Sequence, residues 1–376
     1  MKILILSCNT GEGHNAAGRA VRERLLYEGH EAVMLDYMQL ASKRTARLVG
    51  QTYVKVAGNL PWLFSFAYKL GSFISSAKRK SPVYFANKFM AKHLQYYLDV
   101  NQYDAIVMPH LFPAETLTYM KRHDMVSIPT VAIGTDYTCI PFWEETECDY
   151  YVIPHPELTE EFAMRGVPEE KLLPYGIPVN MAFSEKADKR LAKEKLKLPP
   201  DKPMYLVMSG SMGFGKIHLF AFELARKLKD SEQIVIICGN NKKLKRTLRS
   251  EFRWNKSVHV VGFTEHVADY MNACDVIYTK PGGLTSTEAL VRNIPIVHTA
   301  PIPGCETKNR EFFTSRGMSV AAEHIRTQVA QGRTLVQNKA LRDGMAAAQK
   351  ENACPDAAEK TVRLLERLAK EKERNR

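Results

Sequence analysis

The sequence predicts an α/β protein made of two doubly wound, Rossmann-like domains facing across a cleft. Three observations carry that expectation. Short apolar runs of strand character alternate with segments of helical spacing along most of the chain. The alternation occurs as two series, interrupted by a change of texture between Pro174 and Pro203. A length of 376 residues exceeds one ordinary core and suits two.

KILILSC (2–8) reads as a buried strand and NTGEG (9–13) as a loop. Ala17, Ala20, Val21 and Leu25 mark one face of a helix ending near Tyr27. EAVMLDY supplies the next strand, so the chain opens as a β-α-β unit. DAIVMPH (104–110), PTVAIGTD (129–136) and DYYVIP repeat the strand pattern. The hinge is expected near Ile177 to Val179, giving a first domain of 1–177 and a second of 178–355. In the second, MYLVMSGS from Met204, IVIICGN (234–240), VHVVGF (258–263) and DVIYT (275–279) read as strands, with a helix from about 216. Residues 356–376 form a charged amphipathic pattern, expected to be a helix crossing back onto the first domain. Parallel sheets of this kind bind ligands at the carboxyl ends of their strands.

Composition is ordinary for a globular protein, with 45% hydrophobic and 25% charged residues. Seven scattered cysteines without a C-x-x-C pair argue against a zinc site or a disulfide framework and for a reducing compartment. Met1 leads into a short apolar run that reads as a strand rather than a signal peptide, so a cytoplasmic location is expected. The formal charge of +12 calls for an anionic partner, either nucleic acid or a membrane surface.

The candidate chemistry lies in loops that follow strands. DVIYT is followed by KPGG, and a helical pattern opens at Thr285 with Ala289, Leu290 and Ile294 on one face. A helix start with Gly282 and Gly283 before it suits a phosphate, because its N–H groups are unpaired and no Cβ blocks approach. Thr285-x-x-Glu288 also matches a capping box, in which Glu288 only satisfies the helix end. Ser209-Gly210-Ser211-Met212-Gly213 repeats the strand, loop, helix arrangement without a Walker or G-x-G-x-x-G pattern, which disfavours ATP and nicotinamide chemistry. In the first half, Gly11-Glu12-Gly13-His14 links the first strand to the first helix, and Asp136 ends another strand of that sheet. An imidazole there suits a general base, since its ordinary pKa of about 6.5 lies near working pH. Asp136 also reads as a turn or cap residue.

GGLTSTEAL followed by PIVHTAPIPGCETKN resembles the donor-site signature of UDP-sugar glycosyltransferases that make glycolipids. These are the monogalactosyldiacylglycerol synthases and processive diacylglycerol glucosyltransferases, with the N-acetylglucosaminyl transferase of peptidoglycan synthesis a more distant relative. The resemblance covers most of the chain, most closely at 275–309 and 8–17 and least at 40–100. It implies the GT-B fold and single-displacement transfer with inversion, with no metal and no cofactor beyond the UDP-sugar donor. It gives Glu288 the ribose hydroxyls, the segment around Phe263 the uracil, and Glu306 and Asn309 the sugar hydroxyls. Gly13, Ser209, Gly210, Ser211, Gly213, Gly282, Gly283 and Thr285 complete the implied donor site. Cys305 stands where the family has glutamine, which leaves the donor sugar open, because a thiol does not replace an amide's paired donor and acceptor. The loop Gly11-x-Gly13-His14 is similar to the family's GxGH and implies that His14 is the base, with Asp136 beside it and His110 in the acceptor pocket.

From Tyr37 to Leu98 there are ten lysines and arginines, twelve aromatics and no aspartate or glutamate. The apolar run 56–68 is 13 residues long, short of the roughly 20 that a spanning helix needs. An interfacial segment is expected instead, with Trp62, Phe64 and Phe66 entering the headgroup region and Lys78, Arg79 and Lys80 meeting anionic lipid. A helical layer packed on the sheet explains the apolar residues but not the missing acids. The overall expectation is a hexosyltransferase acting on a lipid such as diacylglycerol, attached peripherally to the membrane and binding no nucleic acid. A UDP-sugar epimerase on the same fold is the first alternative. A nucleic-acid-binding protein, supported by KKLKRTLRSEFRWNK (242–256), is the second.

Overall fold

The computed structural model describes residues 1–8, 11–42, 44, 70–71, 73–74, 76, 80–185, 188–208, 210 and 216–374. The chain forms two units, Met1–Met181 with Pro303–Cys305 and Cys354–Arg376, and Ala182–Ile302 with Glu306–Ala353.

The first unit is built on β1 (Lys2–Ser7), β2 (Glu31–Asp36), β3 (Ala105–Met108), β4 (Thr130–Ile133), β5 (Tyr150–Val152) and β6 (Leu172–Leu173). All pair in parallel in the order β2-β1-β3-β4-β5-β6. Ile3 to Leu6 are fully buried, which is why this strand is an unbroken apolar run rather than an alternating one. The helices are α1 (Glu12–Tyr27), α2 (Pro82–Asn87), α3 (Ala91–Val100), α4 (Leu111–Arg122) and α5 (Thr159–Arg165). Ser81 caps α2 by accepting from Val83 N and Tyr84 N, and the Glu145 carboxylate accepts from Ser81 N at 2.6 Å. Glu115, fully buried nearby, has its pKa pushed up to about 10 by burial and then by Glu145, so it is protonated at neutral pH.

The second unit repeats the plan with β7 (Met204–Met208), β8 (Gln233–Ile237), β9 (Val258–Val261), β10 (Val276–Thr279), β11 (Ile296–His298) and β12 (Val320–Ala321). Their order is β12-β11-β10-β7-β8-β9, again parallel. Its helices are α6 (Lys189–Lys195), α7 (Ile217–Arg226), α8 (Lys242–Glu251), α9 (Val267–Ala273), α10 (Gly283–Val291), α11 (Cys305–Ser315), α12 (Ile325–Gln337) and α13 (Lys339–Asn352). The last helix, α14 (Ala357–Arg374), belongs to the first unit and buries Val362 and Leu365 in its core. Glu366 meets His30 Nε2 at 3.0 Å, and Lys372 Nζ donates to Tyr103 O at 2.8 Å.

Packing in the second unit is tight where α12 crosses β10. Tyr278 is fully buried, and its hydroxyl donates to Val329 O at 3.1 Å. A Cβ on Gly332 would lie 2.1 Å from that hydroxyl oxygen. Gly332→Ala is therefore expected to destabilise the protein by about 1–3 kcal/mol, lowering the urea midpoint. An unchanged midpoint would show that α12 can shift without cost.

Sequence and structure differ in particulars. The helix expected from Thr285 begins two residues earlier at Gly283, with extended Gly282 as N-cap and no side-chain cap. Thr285 thus lies inside α10, which removes the capping-box reading of Glu288. β6, β11 and β12 were not foreseen, because strands of two or three residues carry no periodicity to read. No helix among the described residues is long and apolar enough to cross a membrane.

Candidate active site

Each sheet has one place where strand order reverses direction, and there the loops diverge to leave a crevice at the carboxyl ends. In the first unit this falls between β1 and β3, and in the second between β7 and β10.

His14 enters α1 in its first turn, directly after the loop from β1. Its Nδ1 lies 2.9 Å from Pro109 O, at the end of β3, and 2.8 Å from Thr135 Oγ1, after β4. A carbonyl only accepts, so Nδ1 carries the proton and donates to Pro109. Nε2 of the neutral ring is then left with its lone pair. Burial lowers the His14 pKa, while the Asp136 charge and the Pro109 hydrogen bond push it back up. The ring therefore stays neutral near pH 7 yet has an anion at hand to stabilise its protonated form. His110 meets the His14 ring edge-on, with centroids 4.7 Å apart. Its Nδ1 accepts from Phe112 N at 3.1 Å, which caps α4. Burial, and then the neighbouring His14, holds its pKa well below the usual value. His110 is thus a neutral wall of the site rather than a second cation.

In the second unit, Gly210 follows β7 and Lys280 follows the neighbouring β10. Gly210 has φ +75°, and a Cβ there would stand 2.9 Å from Lys280 Cε. Glycine is required both by the left-handed backbone and by the lysine. Lys280 is ion-paired with Glu306, whose other oxygen accepts from Ile302 N at 2.8 Å. Asn309 is fully buried and donates to Pro281 O at 3.1 Å, fixing the loop before α10. Gly282 N donates to Lys280 O at 2.8 Å, which turns the chain into the helix. The start of α10, whose first N–H groups suit an anion, and the Lys280–Glu306 ion pair thus lie together at this loop. Glu288 is nearly buried on α10, Cys305 opens α11, and Phe263 is 57% exposed after β9.

Lys280 was not singled out from the sequence, where KPGG served only as a break in the pattern. Its position directly after the strand preceding a Gly-Gly helix start was the available signal. Of the expected site residues, Ser209, Ser211, Gly213, Trp62, Phe64, Phe66, Lys78 and Arg79 lie outside the described residues. Gly13 is the residue before His14 in α1, and Lys80 Nζ donates to Glu145 O beside the start of α2. Among the described residues, Glu28, His30 and Glu366 could present three ligand atoms to an ion. His30 is already paired with Glu366 and Glu28 with Arg24, so ion pairing accounts for the trio.

Two parallel six-stranded sheets with these switch points define the GT-B glycosyltransferase fold. MurG from Acinetobacter baumannii superposes with a TM-score of 0.62 at 17% identity, over 97% of this chain and 99% of that one, a likeness of fold alone. The profile described as monogalactosyldiacylglycerol (MGDG) synthase matches residues 14–179, and that of glycosyl transferases group 1 matches 188–352. A probable monogalactosyldiacylglycerol synthase 2, chloroplastic, from Oryza sativa subsp. indica is 30% identical over 88% of this chain and 72% of its own length. A processive diacylglycerol beta-glucosyltransferase from Staphylococcus carnosus is 34% identical over 56% of this chain, which spans about half that relative, 54% of its length. The chain belongs to the monogalactosyldiacylglycerol synthase and processive diacylglycerol glucosyltransferase family of glycosyltransferases.

Proposed function

We propose that this protein is an inverting glycosyltransferase that moves a hexose from a UDP-sugar to a membrane lipid alcohol such as diacylglycerol. The observation that carries this reading is His14, a neutral imidazole whose Nδ1 is committed to Pro109 O and whose charged form Asp136 stabilises. His14 Nε2 takes the proton of the acceptor hydroxyl as its oxygen attacks the anomeric carbon. The bond from that carbon to the diphosphate oxygen breaks, and UDP leaves with the pair of electrons. Lys280 and the start of α10 bear the charge that develops on the diphosphate, a role that needs no metal ion. Glu288 takes the ribose hydroxyls and Phe263 lies against uracil, while Glu306, held by Lys280, faces the sugar. Asn309 acts through the loop it fixes.

The acceptor enters from an anionic membrane surface to which the protein attaches peripherally, on the cytoplasmic side. Support comes from the described part of the basic, acid-free region. Phe73 is 88% exposed, Phe89 73% and Tyr96 74%, and Lys88 lies over both Phe85 and Phe89. Aromatic rings and cations together suit the headgroup boundary. The epimerase alternative is not favoured, since sequence relatives that span most of this chain are named for diacylglycerol glycosylation.

Radiolabelled UDP-glucose and UDP-galactose incubated with diacylglycerol vesicles test the proposal. Label is expected in the lipid phase, rising with phosphatidylglycerol content and falling with salt. Label recovered only as an altered sugar nucleotide would establish the epimerase instead.

A further inference from the structure

The second unit has a basic cavity that the transfer chemistry does not use. It encloses about 360 Å³ between the end of α8 and β9 and is lined by Arg249, Phe252, Arg253, Lys256, His259 and Val260, among others. β9 is the edge strand of its sheet, and these residues flank its amino end. Gly210, Lys280 and Phe263 follow the opposite, carboxyl ends of their strands. The cavity therefore lies on the side of the sheet away from the donor-side residues.

Three cations line this cavity and no carboxylate does. The nearest acid in sequence, Glu251, is occupied by His218 Nε2 at 2.6 Å. The negative end of α8 amounts to roughly half a charge, too little to balance three. Three cations with no carboxylate among the lining residues point to an anionic ligand with several oxygens. Beside it, Trp254 is 84% exposed, with the Arg253 guanidinium 5.1 Å from its ring centroid. An indole left in water next to cations has the composition of a membrane-interface anchor. A nucleic-acid strand would need a continuous basic track with several stacking rings, whereas this recess is about 360 Å³ with one largely exposed ring, Trp254, beside it.

We propose that this cavity, with Trp254 at its rim, binds the phosphate-bearing headgroup of an anionic phospholipid and gives the second unit a lipid contact of its own. The phosphate oxygens meet Arg249, Arg253 and Lys256, and Trp254 enters the headgroup layer. The contact requires no sugar transfer, so it stands apart from the proposed activity.

Trp254 itself reports the contact. The full chain is mixed with vesicles of brominated phosphatidylglycerol or brominated phosphatidylcholine, and emission of the Trp254→Phe chain is subtracted. Quenching of Trp254 is expected with the anionic vesicles only. Arg253→Glu with Lys256→Glu is expected to weaken it by about tenfold or more, as reversal of two charges at an anionic surface requires. Both side chains are exposed, and an unchanged melting curve confirms folding of the variant. A chain that floats with the vesicles while Trp254 stays unquenched would be held by the first unit alone, and the proposal fails. It also fails if neutral vesicles quench equally or if the double reversal changes nothing. Relief of quenching by millimolar inorganic phosphate would make the ligand a soluble phosphate, and stronger protection by a short RNA would make it nucleic acid. Either result overturns the lipid assignment.

Discussion

Replacing His14 by alanine is expected to lower kcat by about a hundredfold or more while leaving UDP affinity nearly unchanged. In the proposed mechanism the base acts on the acceptor proton in the transition state, and the donor contacts are assigned to residues of the other unit. Calorimetric titration of UDP beside a turnover assay reads both quantities, and a near-normal kcat would remove His14 from the chemistry. The pH profile adds a second reading. The working form is the neutral imidazole, and burial lowers its pKa from 6.5. The kcat/KM profile should therefore be level around pH 7 and fall only below about 6.5, as the ring takes up a proton. The Asp136 charge raises the His14 pKa. Asp136→Asn removes that stabilisation of the imidazolium, so the acid limb should move to lower pH while kcat drops. A limb that stays in place in Asp136→Asn belongs to another group.

Lys280→Ala is expected to cost about a hundredfold or more in kcat and to weaken UDP binding, because the proposed mechanism uses this preorganised cation at the departing diphosphate. The substitution also strips Glu306, 6% exposed, of its counter-ion, and an unpaired buried carboxylate is destabilising in its own right. The double variant Lys280→Ala with Glu306→Gln, read against Glu306→Gln alone because Glu306 is itself assigned to the sugar, separates the two effects. Stability should return toward that of the parent while transfer stays low. Recovery of transfer along with stability would make Lys280 a structural ion-pair partner and nothing more.

Strands were legible because each core strand is covered on both faces and so written as an unbroken apolar run, as at Ile3–Leu6 and Ile234–Ile237. The His14 loop and the Gly282-Gly283 helix start were legible for a related reason. A strand, a small-residue break and a helix pattern follow one another directly in sequence, so no distant partner has to be known. Composition likewise set apart the acid-free aromatic and basic region around 37–98.

Adjacency was decided only in three dimensions. His14 and Pro109 are 95 positions apart, and they meet because β1 and β3 are neighbours in the sheet. Gly210 touches Lys280 because β7 pairs with β10. One sequence states which segments are strands but not their lateral order, since every buried parallel strand presents the same apolar faces to its neighbours. The same holds for Asn309, whose burial and hydrogen bond to Pro281 O follow from packing that its residue type does not reveal. Residue chemistry and local pattern are written along the chain. The tautomer of His14, the counter-ion of Lys280 and the anion-seeking recess beside Trp254 arise from non-local packing, which fixes distances that spacing in sequence does not contain.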